Sequence, residues 1–275
     1  MPGCAKAYPA KTMNVRIREI VILTVGLALV LGAALGGYAV VRARADGMPG
    51  RQVLAPVTMP TPAASGVAPA PQYERWTVGV ARRPLTVRRR PADGAPVFTR
   101  LPMRTAADYP TVVLVDEIRE VDGVPWYRVW LVGPPNESRG WVRDGQMAFY
   151  TTSSKIIIDL SQRKLMVYRR GELMRTFPVA VGRPGLETPK GHFYVTQKLR
   201  PPDPGGVYGV LQLGTSATQP KLNGWPDGGL VAIHGTNEPG LIGQAISHGC
   251  VRMKNSAVQE VSRLVPAGSP VIIEK

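Results

Sequence analysis

The sequence predicts a mainly β protein: a small barrel, then a β sandwich with a short helix, all behind one transmembrane helix. Three observations predict it. Beyond residue 75 the apolar residues fall in short runs broken by Gly, Pro, Asp and Asn turns; one stretch there has a helical period; and one long uncharged apolar run lies near the amino terminus. The inventory of 275 residues narrows the class further. Two cysteines and three histidines exclude a disulfide scaffold and a zinc-cluster protein. Thirty glycines and 27 prolines without a period exclude collagen but fit turns and at least one linker. The formal charge of +15 asks for nucleic acid, a membrane surface or an anionic polymer as partner.

Residues 1–19 read as a cytoplasmic amino terminus carrying Lys6, Lys11, Arg16 and Arg18. Ile20 to Val41 is 22 residues without a charge. As a helix this reaches about 33 Å, enough to cross a bilayer core, whereas a cleavable signal uses only about 7 to 15 apolar residues. Ala43-Arg44-Ala45 resembles a small-x-small cleavage site, but the length of the run favours a retained anchor. More basic residues precede the span than the two, Arg42 and Arg44, that follow it, so a single-pass protein of the cell membrane is expected, with everything beyond it on the wall or periplasm side. That placement removes nucleic acid as a partner. Gly32 and Gly36 have the spacing of paired spans, although glycine is common in spans generally. Residues 42–74, with Pro49, Pro56, Pro60, Pro62, Pro69 and Pro71 among small residues, cannot bury a core and read as a semi-rigid spacer.

Residues 75–149 hold twelve arginines, no lysine, and Trp76, Trp126, Trp130 and Trp141. Apolar runs at Leu85–Val87, Val112–Val115 and Trp126–Leu131, separated by Pro-Ala-Asp-Gly and Val-Asp-Gly turns, read as a small all-β barrel. Trp126-Tyr127-Arg128-Val129 followed by Gly140-Trp141-Val142 resembles the bacterial SH3-like (SH3b) domain. The resemblance implies a wall-binding or positioning module; the alternative is tryptophans filling a small core beside solvated arginines. For Arg88, Arg89 and Arg90 the solvated face is the favoured reading.

In residues 150–275, strands are expected at Ile156–Leu160, Lys164–Tyr168, Leu173–Val181, His192–Lys198, Val207–Leu213, Leu230–His234 and Val271–Glu274. Ser256 and Gln259 have capping-box spacing ahead of Val258, Val261, Leu264 and Val265, and Pro266 and Gly268 stop that helix. His192 reads as a strand-surface histidine. Tyr208 and Trp225, in the Gly/Pro-rich stretch 201–229, read either as part of a lid over a cleft or as core.

The chemistry concentrates in Ile233-His234-Gly235-Thr236 and Ser247-His248-Gly249-Cys250-Val251-Arg252. Cys4 lies on the other side of the expected span, so Cys250 is the one exported thiol and has no disulfide partner. A lone exported cysteine reads as a nucleophile or as an inert core residue. Two nearby histidines favour the nucleophile, since an imidazole in reach takes the thiol proton and returns it to a leaving amine. Gly249 removes a side chain beside the sulfur and leaves backbone N–H groups for an oxyanion.

These residues resemble the L,D-transpeptidase catalytic domain family (YkuD-type), whose signature pairs a histidine-glycine with a later S/T-H-G-C. Val179-Ala180-Val181-Gly182 and Thr188-Pro189-Lys190-Gly191 resemble the family's strand and turn before the catalytic half. One common form of the signature ends in Asn, where this chain has Arg252, as in the other large branch. The resemblance implies a peptidoglycan enzyme. Cys250 attacks the carbonyl before the terminal D-Ala of a tetrapeptide stem, releases D-Ala, and passes the acyl group to an amine of a neighbouring stem as a 3-to-3 cross-link. Water as acceptor makes the same site an L,D-carboxypeptidase. No metal or organic cofactor is required. The resemblance favours His234 as base, its ring oriented by a backbone carbonyl near Gly235, with His248 shaping an oxyanion turn whose N–H donors come from His248, Gly249 and Cys250. Arg252 is expected either to steady that turn or to hold a substrate carboxylate, and Ser247 and Tyr208 are further substrate-side candidates. The hydroxyls of Thr236 and Ser247 also suit satisfying backbone groups. Two rivals remain: another cell-wall cysteine hydrolase, and a non-catalytic wall-binding scaffold. Residues 150–275 carry 15 basic and 8 acidic residues, a net +7 that suits an anionic wall polymer as a further partner.

Overall fold

The computed structural model describes residues 73–222, 224 and 228–275. The expected cytoplasmic terminus and span, the expected spacer except Tyr73 and Glu74, and Trp225 lie outside the described residues. Among the described residues no helix is long and apolar enough to cross a membrane.

The first sheet contains β1 (Trp76–Ala81), β2 (Leu85–Arg88), β3 (Val97–Leu101), β4 (Val112–Val121), β5 (Val124–Trp130), β6 (Arg139–Arg143) and β7 (Met147–Thr152). All are antiparallel, in the order β3-β2-β6-β5-β4-β1-β7. Alternation decides its faces: Leu85 and Val87 of β2 turn inward onto Val113, Val129 and Val142, while Thr86 and Arg88 between them stay partly exposed. The two tryptophan motifs occupy neighbouring strands, with Tyr127 opposite Val142 and Arg128 opposite Trp141. Gly140 sits between them because a Cβ there would come 2.4 Å from Val87 Cγ1. Trp126 and Trp141 are buried, and the Arg128 and Arg119 guanidiniums lie over the Trp141 ring. Arg89 and Arg90 are exposed, as the solvated reading of that run expects, although Arg89 stacks on Phe98.

The second region contains β8 (Ser154–Asp159), β9 (Lys164–Arg169), β10 (Glu172–Pro178), β11 (Val181–Gly182), β12 (Gly191–Leu199), β13 (Gln212–Thr218), β14 (Leu230–His234), β15 (Ala245–Ser247), β16 (Val251–Arg252) and β17 (Pro270–Glu274), with one α-helix, α1 (Asn255–Leu264). Eight of these strands form a mixed sheet, β10-β9-β8-β17-β12-β13-β14-β16, and β11 pairs with β15 apart from it. Alternate residues of the strands, Ile156, Ile158, Leu165, Val167, Phe193, Val195, Leu213, Val231, Ile233, Val271 and Ile273, make one core with Val258 and Val261 of α1. Among the described residues the expectation of a mainly β fold with one short helix holds.

Three local expectations are corrected. Val207 to Leu213 is not a strand: Gly205, Gly206 and Gly209 fold 203–210 into consecutive turns, and the strand begins at Gln212. The helix starts earlier than the capping box implies, because Asn255 is already helical and the N-cap is Lys254, with no side-chain cap. The apolar run Leu173–Val181 breaks after Pro178: Val179 donates its N–H to the Arg163 carbonyl, and Ala180 leaves β9 to make an isolated bridge with Arg252 of β16.

The two regions share a core. Val78, Val112, Leu114 and Trp130 of the first sheet pack with Tyr194 of β12 and Ala267. Tyr194 is 1% exposed, with its hydroxyl 3.4 Å from the carbonyls of both Val112 and Trp130. Gly268 lets the chains approach, because a Cβ there would meet Val78 Cγ1 at 2.3 Å. Strand β7 continues past residue 150, so a boundary at 149 falls inside an element of the first sheet. The described residues fall within one compact unit.

Candidate active site

Parallel pairing of two short strands builds the site. In β14 and β16, Ile233 lies opposite Val251 and His234 opposite Arg252. Cys250, one residue before β16, therefore falls beside Ala232, whose N–H points at the sulfur at 3.4 Å. A backbone N–H on sulfur stabilises negative charge developing there. His234 ends β14, and its ring is 3% exposed at the wall of the same cleft.

Two backbone bonds hold His234 in place on the chain: its carbonyl accepts Met253 N–H at 2.8 Å, and the next N–H, of Gly235, reaches Leu211 O at 3.0 Å. Nδ1 meets Gly235 O at 2.6 Å. A carbonyl only accepts, so Nδ1 carries the proton and Nε2 is the basic nitrogen. The Tyr208 ring stands edge-on to the imidazole, 5.0 Å between centroids. Burial pushes the His234 pKa down from its usual 6.5 to about 4; the Gly235 carbonyl opposes this and the Arg252 charge adds to it. The ring is thus neutral at pH 7, ready to accept a proton.

The Ser247–Cys250 turn is held from within. Ser247 Oγ donates to Cys250 O at 2.6 Å and accepts Gly249 N–H at 3.1 Å. Of the three expected oxyanion donors, the Gly249 N–H is engaged by Ser247 Oγ in this arrangement. Gly249 has φ +120, and a Cβ there would press on the Gln219 side chain at 3.3 Å. His248 lines the cleft half-buried; burial, then the charges of Arg183 and Arg252, lower its pKa.

Arg252 places Nη1 3.3 Å from Glu238 Oε2, while its Nε is buried with no hydrogen-bond partner among the described residues. It lines the cleft with His234, Ser247, His248, Cys250, Tyr208 and Leu230, around roughly 260 Å³ of space. All the proposed side-chain participants therefore converge. Gly235 contributes its carbonyl rather than open space. Upstream, Gly182 and Thr188 of the two earlier motifs meet: Thr188 Oγ1 accepts the Gly182 N–H at 2.9 Å, and a Cβ on Gly182 would collide with Leu186 O at 2.3 Å. His192 is on the surface as expected, away from the cleft, beside Trp130 with its N–H on Glu137 Oε1.

Sequence reasoning missed Ala232, Glu238 and Arg183. Ala232 acts through its backbone, and the two charged residues reach the site by register and loop path, so no residue pattern marked them. It also missed Asn136, a residue of the first region whose amide brackets Thr218: Oδ1 accepts Thr218 N–H at 2.9 Å and Nδ2 donates to Thr218 O at 2.9 Å. Thr218 precedes Gln219, the residue under Gly249.

A cysteine and a histidine with a carbonyl-oriented ring, in a cleft on a β scaffold, define a site competent for acyl transfer through sulfur. The comparison with known proteins agrees in class. Residues 153–273 match the family model for the YkuD L,D-transpeptidase catalytic domain. The L,D-transpeptidase YkuD of Bacillus licheniformis is 38% identical over 123 residues, covering 45% of this chain and 67% of that protein. Its namesake from Bacillus subtilis is 35% identical over 126 residues, 46% of this chain and 69% of that one. Among solved structures, an L,D-transpeptidase from Mycobacterium smegmatis aligns with 59% of this chain and 99% of that chain, at 17% identity and a TM-score of 0.37. The chain belongs to the YkuD-type L,D-transpeptidase catalytic domain family.

Proposed function

We propose that this protein is a peptidoglycan L,D-transpeptidase that joins two stem peptides through a thioester on Cys250. The observation that supports this most directly is a neutral, Nδ1-protonated His234 lining one cleft with the Cys250 thiol. His234 Nε2 takes the thiol proton as sulfur attacks the carbonyl between the third residue and the terminal D-Ala of a tetrapeptide stem. The C–N bond breaks, the imidazolium returns its proton to the departing nitrogen, and D-Ala leaves the acyl group on sulfur. An amine of a neighbouring stem then loses a proton to His234 and attacks the thioester. The C–S bond breaks, sulfur regains its proton, and a 3-to-3 cross-link remains.

Ala232 N–H steadies the charge on sulfur, Arg252 lines the cleft as a positive charge for a substrate carboxylate, and Tyr208 stands edge-on to the imidazole. On sequence grounds the reading extends to an anchor at residues 20–41 and a catalytic region outside the membrane, where peptidoglycan lies. The net +7 of residues 150–275 favours encounter with anionic wall polymer. The test is mass spectrometry of products made by the purified protein from a disaccharide tetrapeptide. A cross-linked dimer plus free D-Ala is expected, and both vanish in Cys250→Ala. Tripeptide with D-Ala and no dimer makes the protein a carboxypeptidase; no D-Ala at all refutes the proposal.

A further inference from the structure

We propose that Asn255 is the positioning residue of this site: its amide oxygen ties together the two loops that orient His234. The inference rests on reading His234 as the base. Asn255 opens α1, and its Oδ1 accepts Thr236 N–H at 3.1 Å and Val210 N–H at 3.3 Å. Two donors on one side-chain atom settle which end of the amide faces the turn. Thr236 follows Gly235, the residue whose carbonyl takes the His234 Nδ1 proton. Val210 ends the turns that carry Tyr208, the ring set edge-on to His234.

The approach is close enough to dictate sequence on both sides. A Cβ on Gly209 or on Gly235 would lie 2.1 Å from Asn255 Oδ1, and Gly209 has φ +62 besides. Gly235 makes room for this oxygen, and Gly209 makes room for it together with the Gly235–Thr236 backbone, which a Cβ there would meet at 2.5 to 2.7 Å. Without it, two backbone N–H groups lose their acceptor, the Gly235–Thr236 turn is free to rotate, and the carbonyl that selects the His234 tautomer moves with it. The titratable and charged groups of the same cleft are Arg252 with its partner Glu238, Tyr208, Cys250 and His248, whereas Asn255 is neutral and acts through the Gly235–Thr236 turn.

The test follows the rate of Cys250 alkylation by iodoacetamide across pH, on the whole protein, for wild type, His234→Gln, Asn255→Ala and Asn255→Asp. Asn255→Ala is expected to alkylate about 10- to 100-fold more slowly near neutral pH, the loss typical of a misplaced catalytic group. Asn255→Asp keeps an acceptor for both N–H groups, so the rate is expected to recover at high pH. Its acid limb should move to higher pH, because a carboxylate beside the Gly235 turn favours the imidazolium. A folded Asn255→Ala with the wild-type rate overturns the proposal, as does an Asp variant whose acid limb stays where wild type has it. Should the Ala variant not fold, the Asp profile decides alone. A wild-type profile in His234→Gln removes the underlying assignment of the base instead, so the two failures are told apart.

Discussion

Replacing His234 by glutamine should flatten the dependence of stability on acid, and the size follows from one buried ring. The unfolded imidazole titrates near 6.5, the folded one near 4, with burial as the largest cause. A depressed histidine carries no penalty above pH 6.5. Between pH 6.5 and 4 the unfolded chain binds the proton and the folded chain does not, so stability falls as pH falls, and below about 4 the whole cost is present. The gap of 2.5 between the two values corresponds to about 3 kcal/mol. The experiment measures urea unfolding at pH 7 and near pH 4 in wild type and in His234→Gln. Carboxylates such as Asp159 and Glu187, whose pKa values are lowered by hydrogen bonds, also lose stability in acid, but they do so equally in both proteins and cancel. Wild type should lose about 3 kcal/mol more than the variant. Equal losses would refute the buried neutral ring. A smaller loss in wild type would mean that the resting pair is thiolate and imidazolium, because a stabilised imidazolium reverses the sign.

Three further outcomes are expected. Tyr194→Ala empties the core shared by both regions; a cost of about 3 to 5 kcal/mol is expected, and thermal unfolding of wild type should show one transition spanning both regions, where two separate transitions would contradict the shared core. Gly182→Ala drives a Cβ into the Leu186 carbonyl, so a loss of about 1 to 3 kcal/mol should appear as a lower urea midpoint. Asn136→Ala strips Thr218 of its bracket at a cost of about 1 to 3 kcal/mol, and it should also slow acylation of Cys250, read by intact mass after incubation with a β-lactam, because Thr218 leads into the residue beneath Gly249.

Much of this site was legible in the sequence because its chemistry is local. Ser247-His248-Gly249-Cys250 folds as one turn, held by the Ser247 hydroxyl, and His234-Gly235 supplies both ring and carbonyl from adjacent residues. Strands such as Ile156–Ile158 and Val231–Ile233 were legible as short apolar runs of strand-forming residues, while the alternation of their burial came with the fold. Where consecutive residues mislead, the reading failed. Val207–Leu213 is apolar enough for a strand, yet Gly209, at φ +62 and pressed against Asn255, turns the chain there.

Tertiary structure alone decided the rest. The β14–β16 register puts Cys250 beside Ala232, with 17 residues between the two in the chain. The N–H of Gly249 is taken by Ser247, and Asn136 and Tyr194 bind the first region to the second. The sequence by itself marked the candidate nucleophile and its two histidines and determined the β character of the described residues, because residue type and short spacing carry that information. It could not determine which backbone groups meet across distant segments, because backbone N–H and C=O groups are the same in every residue and only the fold chooses their partners.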